Sequence, residues 1–150
     1  MIQISNLSMQ LVSGGRPVQI LHEISLDVPQ GQFLAVMGPS GSGKSTLMGL
    51  IAGLDTPASG SIVLNGTSLA GLREDAVTRL RAALIGCVFQ SYHLIPTLTA
   101  LENVAVPLEL AQDDDAVDRA DALLRLVGLA HRAHHYPVQL SGGEIGRAHV

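Results

Sequence analysis

The chain is short of charge, aromatic rings and cysteine. Of its 150 residues, 15% are charged and 3% aromatic, and there is no tryptophan. Nine Lys and Arg, scattered along a chain of net charge −4, provide no basic footprint, which excludes nucleic acid as a direct partner. A single cysteine, Cys87, excludes both an intramolecular disulfide and a cysteine metal set. Its place in the run Ile85-Gly86-Cys87-Val88-Phe89 predicts a buried, inert thiol in a reducing compartment. No apolar stretch reaches the ~18 residues of a membrane span, and Met1-Ile2-Gln3-Ile4-Ser5 lacks the regions of a signal peptide. A cytosolic chain is expected, touching a membrane only through a partner. What is present is apolar, at 47% of residues, enough for one substantial core.

The richest segment is Gly38-Pro39-Ser40-Gly41-Ser42-Gly43-Lys44-Ser45-Thr46, which fits G-x-x-x-x-G-K-[ST]. Before it, Phe33-Leu34-Ala35-Val36-Met37 reads as a strand buried on both faces. After it, Leu47, Met48, Leu50, Ile51 and Leu54 recur at helical spacing. A Gly/Ser-rich surface turn is the alternative, and the strand and helix on either side decide against it. Glycines let the loop curl so that its amides face phosphate oxygens at the positive end of a helix. Lys44 would reach the β- and γ-phosphates, Ser45 would place its hydroxyl on Mg²⁺, and Thr46 would donate toward the α-phosphate.

Around this loop the pattern alternates between strand and helix. Period-two alternation over residues 2–11 and 18–28, with Ser13-Gly14-Gly15 between, predicts an antiparallel layer. Ser61 to Leu64, closed by Asn65-Gly66, should rejoin it as a hairpin. Glu74 to Leu84 reads as a helix with Val77, Leu80 and Leu84 on one side, feeding a buried strand Ile85 to Phe89 that ends at Gln90. Thr99-Ala100-Leu101-Glu102 is a capping box for a helix through about Val106, limited by Pro107. Asp113-Asp114-Asp115 opens another helix bearing Val117, Ala120, Leu123, Leu124 and Val127, with Gly128 as its stop. Leu140-Ser141-Gly142-Gly143-Glu144 adds two glycines that allow close backbone approach, and Ser141 and Glu144 stand at capping-box spacing.

The loop, the strand-terminal Gln90 and the Leu140–Glu144 string, in this order, resemble the ATP-binding cassette (ABC) family of transporter ATPases from about residue 2 to residue 143. The stretch Val88 to Val104 is similar to the group serving lipoprotein release, macrolide export and YbbA-like systems. The resemblance implies an α/β P-loop NTPase fold of the ABC ATPase type, with an antiparallel β layer, a helical subdomain and an incomplete parallel core sheet. It places the β layer and P-loop core at 1–91 and the helical subdomain at 92–143. It makes Gly38 to Thr46 the Walker A loop, with ATP and Mg²⁺ as cofactors. Gln90 becomes a ligand of Mg²⁺ and of the attacking water, beside Ser45 on the metal. Ser141, Gly142 and Gly143 become the signature that binds the γ-phosphate held by a second subunit in a head-to-tail dimer. Lys44, Gln90 and Ser141 are the residues it assigns to catalysis. It also implies an integral membrane permease as partner, docked by its coupling helix on Tyr92 to Pro96, and a peripheral location on the cytoplasmic face of the inner (plasma) membrane. A competing reading has Leu94, Ile95 and Leu98 merely filling the helical subdomain, and an alternative function is a permease-independent ABC-type ATP-binding module.

The chain also departs from the pattern. Relatives stack adenine on an aromatic near the position of Leu11, whereas Met9-Gln10-Leu11 offers only apolar contact, so poor discrimination between ATP and GTP is expected. The family continues into a strand ending in Asp-Glu and on to a switch His. In their absence the 150 residues are expected to bind nucleotide without hydrolysing it, and to aggregate or stay loosely folded through the edge beside Phe33–Met37. Neither Glu102, Glu109 nor the His131, His134 and His135 group is placed to substitute, and the histidines read as solvated or helix-terminal. Residues 144–150 break from the family continuation and back-translate to a common sequencing adapter, so they are expected to be a non-native tail.

Overall fold

The computed structural model describes residues 1–88 and 93–148. It divides into two units, Met1–Cys87 and Val88–Val150, each with its own core.

In the first unit, β1 (Ile2–Ser13) and β2 (Arg16–Val28) form an antiparallel hairpin. Its Gly14-Gly15 turn has φ of 58° and 78°, the left-handed pair that matches strand twist. The buried positions of β1 run Ile4, Leu7, Met9, a phase slip that keeps one apolar face only because the strand bulges at Asn6. Glu23 answers it on β2. Asn6 and Glu23 both have positive φ, and hydroxyls accept the amides that the ladder loses there: Asn6 N donates to Ser25 Oγ and Glu23 N to Ser8 Oγ, each at 2.9 Å. β3 (Ser59–Leu64) joins the other edge of β1, and β4 (Thr67–Ser68) follows across the Asn65-Gly66 turn, giving the order β2-β1-β3-β4. Gly60 is required opposite the bulge, since a Cβ there would lie 2.5 Å from the Asn6 carbonyl oxygen.

Helix α1 (Lys44–Ile51) lays Leu47 and Leu50 on the sheet face built by Ile4, Leu7, Met9, Leu21, Ile62 and Leu64. Burying each such side chain stabilises the unit by about 1.5–3 kcal/mol. Helix α2 (Glu74–Leu84) half-buries Val77 and Leu80, leaves Leu84 exposed, and donates from Arg81 Nη1 to the Gly53 carbonyl at 3.3 Å.

Two expected strands are not strands. Residues 33–37 and 85–88 are irregular, and Phe89 lies outside the described residues. A parallel strand exists only through its ladder, and no described strand pairs with either segment. Phe33 and Met37 are accordingly 92% and 86% exposed. The same cause corrects the reading of Cys87, whose thiol is exposed because the run around it has no sheet to enter.

The second unit is helical. Helix α3 (Ala100–Leu110) begins at the expected capping box, with Glu102 N donating to Thr99 Oγ1 at 3.3 Å and Thr99 N to Glu102 Oε2 at 2.7 Å. It runs through Pro107 instead of stopping near Val106, because a proline withholds one N–H and the turns on either side persist. Helix α4 (Ala116–Leu126) buries Ala116, Ala120 and Leu124, while Val117 faces solvent. It closes at Gly128 through a Schellman pair, Gly128 N to Arg125 O at 3.0 Å and Leu129 N to Leu124 O at 2.7 Å, which draws Leu129 into the core. Two short 3-10 turns, Ala130–Arg132 and Pro137–Gln139, lead to α5 (Gly142–Ala148), whose Ala148 is buried in the same cluster. The amides of Ala100 and Leu101 donate to the His135 and Ala133 carbonyls at 2.9 Å, tying the start of α3 to this connector.

Candidate phosphate-binding site

The glycine loop is seated by the sheet. Gly43, the N-cap of α1, has φ of 86°, and a Cβ there would lie 2.8 Å from Leu21 Cδ2 and 3.1 Å from the Ile20 carbonyl oxygen. β2 therefore fixes where α1 starts. From that start the amides of Lys44, Ser45 and Thr46 project as the unpartnered donors of a first helical turn. Lys44 folds back over the loop: Nζ donates to the carbonyls of Gly38 at 3.0 Å and Pro39 at 2.7 Å and lies 3.4 Å from Ser42 Oγ. The loop is further closed by Ser42 N to Pro39 O at 3.3 Å, and a Cβ on Gly38 would meet Ser42 Oγ at 2.7 Å. Ser42 Oγ thus fills the space that a side chain at Gly38 would need, Gly43 lets the loop close against β2, and the Lys44 ammonium lies across the loop. That arrangement suits a polyphosphate, whose oxygens would take both the amides and the ammonium.

Ser45, the expected metal contact, is exposed at the mouth of this loop. Gln90, its expected companion, lies outside the described residues. Among the described residues no three His, Cys, Asp or Glu gather into a metal cage. A Mg²⁺ carried in on phosphate oxygens keeps several waters and takes few ligands from the protein, so its binding does not call for such a cage. A cavity of about 660 Å³ lies at the opposite end of α1, lined by Leu50, Gly53, Asp55, Leu69, Glu74 and Arg81 among others, and belongs to no expected site.

The Leu140–Glu144 string is built as its spacing predicts. Ser141 N and Oγ both donate to Glu144 Oε2 at 2.8 Å, and Leu140 is buried beneath them. The Ser141 amide, then its hydroxyl, hold the Glu144 carboxyl down to a pKa of about 2, with Arg132 adding to the effect. A Cβ on Gly142 or Gly143 would meet nothing within 4 Å, so the fold itself does not ask for glycine there.

Some of what organises the sites was not read from spacing. Arg132 Nε pairs with Glu144 Oε1 at 3.1 Å, and its Nη1 lies 3.2 Å from His135 Nε2. His131 and His134 are exposed and His135 half-buried, while Glu102 is committed to its cap. On the far end of the β hairpin, Leu11 pairs across the strands with Val18, and both stay more than 40% exposed. Leu94 packs against the helical core, Leu98 is half-buried and Ile95 is exposed, so only part of the 94–98 segment fills the subdomain.

The ABC transporter family profile matches residues 21–150. The macrolide export ATP-binding/permease protein MacB of Bdellovibrio bacteriovorus is 45% identical over 144 residues, which are 96% of this chain and 22% of that protein. The chain thus spans about a fifth of the length of that curated relative. A dimeric post-hydrolysis structure of the ATP-binding cassette MJ0796, bound to ADP and Pi, superposes with a TM-score of 0.89 at 35% identity, covering 99% of this chain and 68% of that one. A second dimeric structure of MJ0796, described as a bacterial ABC transporter cassette, gives 0.91 at 36% identity, covering 100% and 67%. The expected fold class is therefore that of the chain's structural neighbours, and the macrolide-export likeness read from residues 88–104 has a homologue behind it. The chain belongs to the ABC transporter family and is an ATP-binding domain of it.

Proposed function

We propose that this domain binds Mg-ATP through Gly38 to Thr46 and, paired head-to-tail with a second cassette, drives transport through an integral membrane permease on the cytoplasmic face of the inner membrane. The observation that carries the reading is the first turn of α1, whose amides open into a glycine loop that Gly43 lets close against β2 and that Lys44 covers. Loop amides and Lys44 hold the β- and γ-phosphates, Ser45 and Gln90 meet Mg²⁺, and Leu11 with Val18 gives adenine an apolar surface. Bound Mg²⁺ supplies charge neutralisation between the phosphates. Ser141, Gly142 and Gly143 reach the γ-phosphate held by the partner cassette, which gives the bare glycines of α5 their use. Residues 93–96 form part of the surface on which the permease docks, with Tyr92 outside the described residues, in keeping with a relative named as ATP-binding and permease protein in one. No described helix is long and apolar enough to cross a membrane.

Calorimetry with Mg-ATP tests this. The Lys44→Ala chain should lose nucleotide retention, and undiminished binding in that variant would contradict the role given to Lys44.

A further inference from the structure

Asn103 lies within the first turns of α3, yet its side chain is spent on the loop before the helix. Its Oδ1 accepts from the Ile95 amide at 2.7 Å. Its Nδ2 faces three carbonyls, those of Ile95 at 3.1 Å, Leu98 at 3.0 Å and Thr99 at 2.9 Å. A carboxamide has two N–H bonds, so these carbonyls share two protons and the group is saturated. The loop also closes on itself, Leu98 N donating to Ile95 O at 3.1 Å. Helix α3 does not need this side chain for its start, because Thr99 and Glu102 already cap each other and the Asn103 amide already bonds the Thr99 carbonyl at 2.9 Å. What the carboxamide sets is the path of residues 95–98. Along that path Leu94 turns into the helical core, whereas Ile95 is 44% exposed and Pro96 is exposed beside it. An isoleucine held outward by a saturated side-chain clamp contributes little to its own core and much to a rigid outward surface.

We infer that Asn103 is a positioning residue for partner docking: its carboxamide holds residues 95–98 in the conformation that presents Ile95 and Pro96 to an apolar helix of the permease. The inference rests on the permease reading above, and it assigns to Asn103 the ordering that the loop would otherwise undergo on binding.

The test measures affinity of the cassette, in its complete chain, for the permease that its gene encodes or adjoins, purified in detergent. Wild type, Ile95→Ser, Asn103→Ala and the double variant are compared, with Mg-ATP affinity and amide hydrogen exchange recorded for each. Ile95→Ser and Asn103→Ala should each weaken permease binding about tenfold or more. The double variant should be within about twofold of the weaker single one, since Ile95 contributes only when the loop is set. Mg-ATP affinity should be unchanged, and exchange should quicken at the Ile95 amide while α3 stays protected. Wild-type affinity in Ile95→Ser would overturn the docking reading itself. Weakened binding in Ile95→Ser with wild-type binding in Asn103→Ala would overturn the role of Asn103 alone. Loss of α3 protection in Asn103→Ala would also overturn it, by making the residue a support of the helix.

Discussion

Alanine at Gly43 puts a methyl group where β2 already stands. The added carbon would lie 2.8 Å from Leu21 Cδ2, 3.1 Å from the Ile20 carbonyl oxygen and 3.3 Å from Ile20 Cγ2, on a backbone with φ of 86°. The left-handed conformation costs an alanine about 1–2 kcal/mol. Forcing the methyl against two packed residues adds about 1–3 kcal/mol, for a combined loss of about 2–5 kcal/mol. Gly41 provides the control, since it has φ of 81° and nothing within 4 Å of an added Cβ. Gly41→Ala should therefore show the conformational cost alone, about 1–2 kcal/mol. Urea unfolding at low protein concentration, followed by a probe of the Met1–Cys87 unit, reads both losses. The gap between the two variants measures the seating of the phosphate loop on β2, and Mg-ATP affinity should fall further in Gly43→Ala than its stability alone predicts. Equal losses would refute the reasoning, because they would mean that the sheet does not decide where α1 begins.

The Glu144 carboxyl has its pKa brought from 4.5 to about 2, first by the Ser141 amide and then by the Ser141 hydroxyl. Because the folded value is depressed, this cap's contribution is complete above the ordinary carboxylate pKa and is lost as pH falls from 4.5 toward 2. A carboxyl-carbon NMR titration of Glu144 with a midpoint near the ordinary value would contradict the Ser141 pairing. Nucleotide competition should show ATP and GTP bound with similar affinity, since Leu11 and Val18 offer the base apolar contact and no ring; strong adenine preference would count against that surface.

What the sequence reveals is mostly what short-range chemistry decides. Gly14-Gly15 and Asn65-Gly66 mark their turns because few residues tolerate the required dihedral angles, and Thr99 with Glu102, like Ser141 with Glu144, marks a helix start because donor and acceptor lie three residues apart. The phosphate loop is legible for the same reason. The strands expected at 33–37 and 85–89 are a different matter, because an apolar run records a preference for burial and says nothing of whether a neighbouring strand is there to pair with it. Cys87 inherits that ambiguity. The bulges at Asn6 and Glu23 leave a trace, the step from Ile4 to Leu7 and from Leu21 to Ile24, that alternation read strand by strand passes over. Asn103 and Arg132 are the hardest to foresee, since a carboxamide eight residues from Ile95 and a guanidinium twelve from Glu144 meet those partners only once the loop before α3 and the start of α5 have folded back on them.

Amide NMR of the chain titrated with Mg-ATP tests most directly whether main-chain donors at the start of α1 take the phosphates. The prediction is a saturable shift concentrated at the amides of Gly41 to Thr46. Saturating Mg-ATP that leaves those amides unmoved would contradict it.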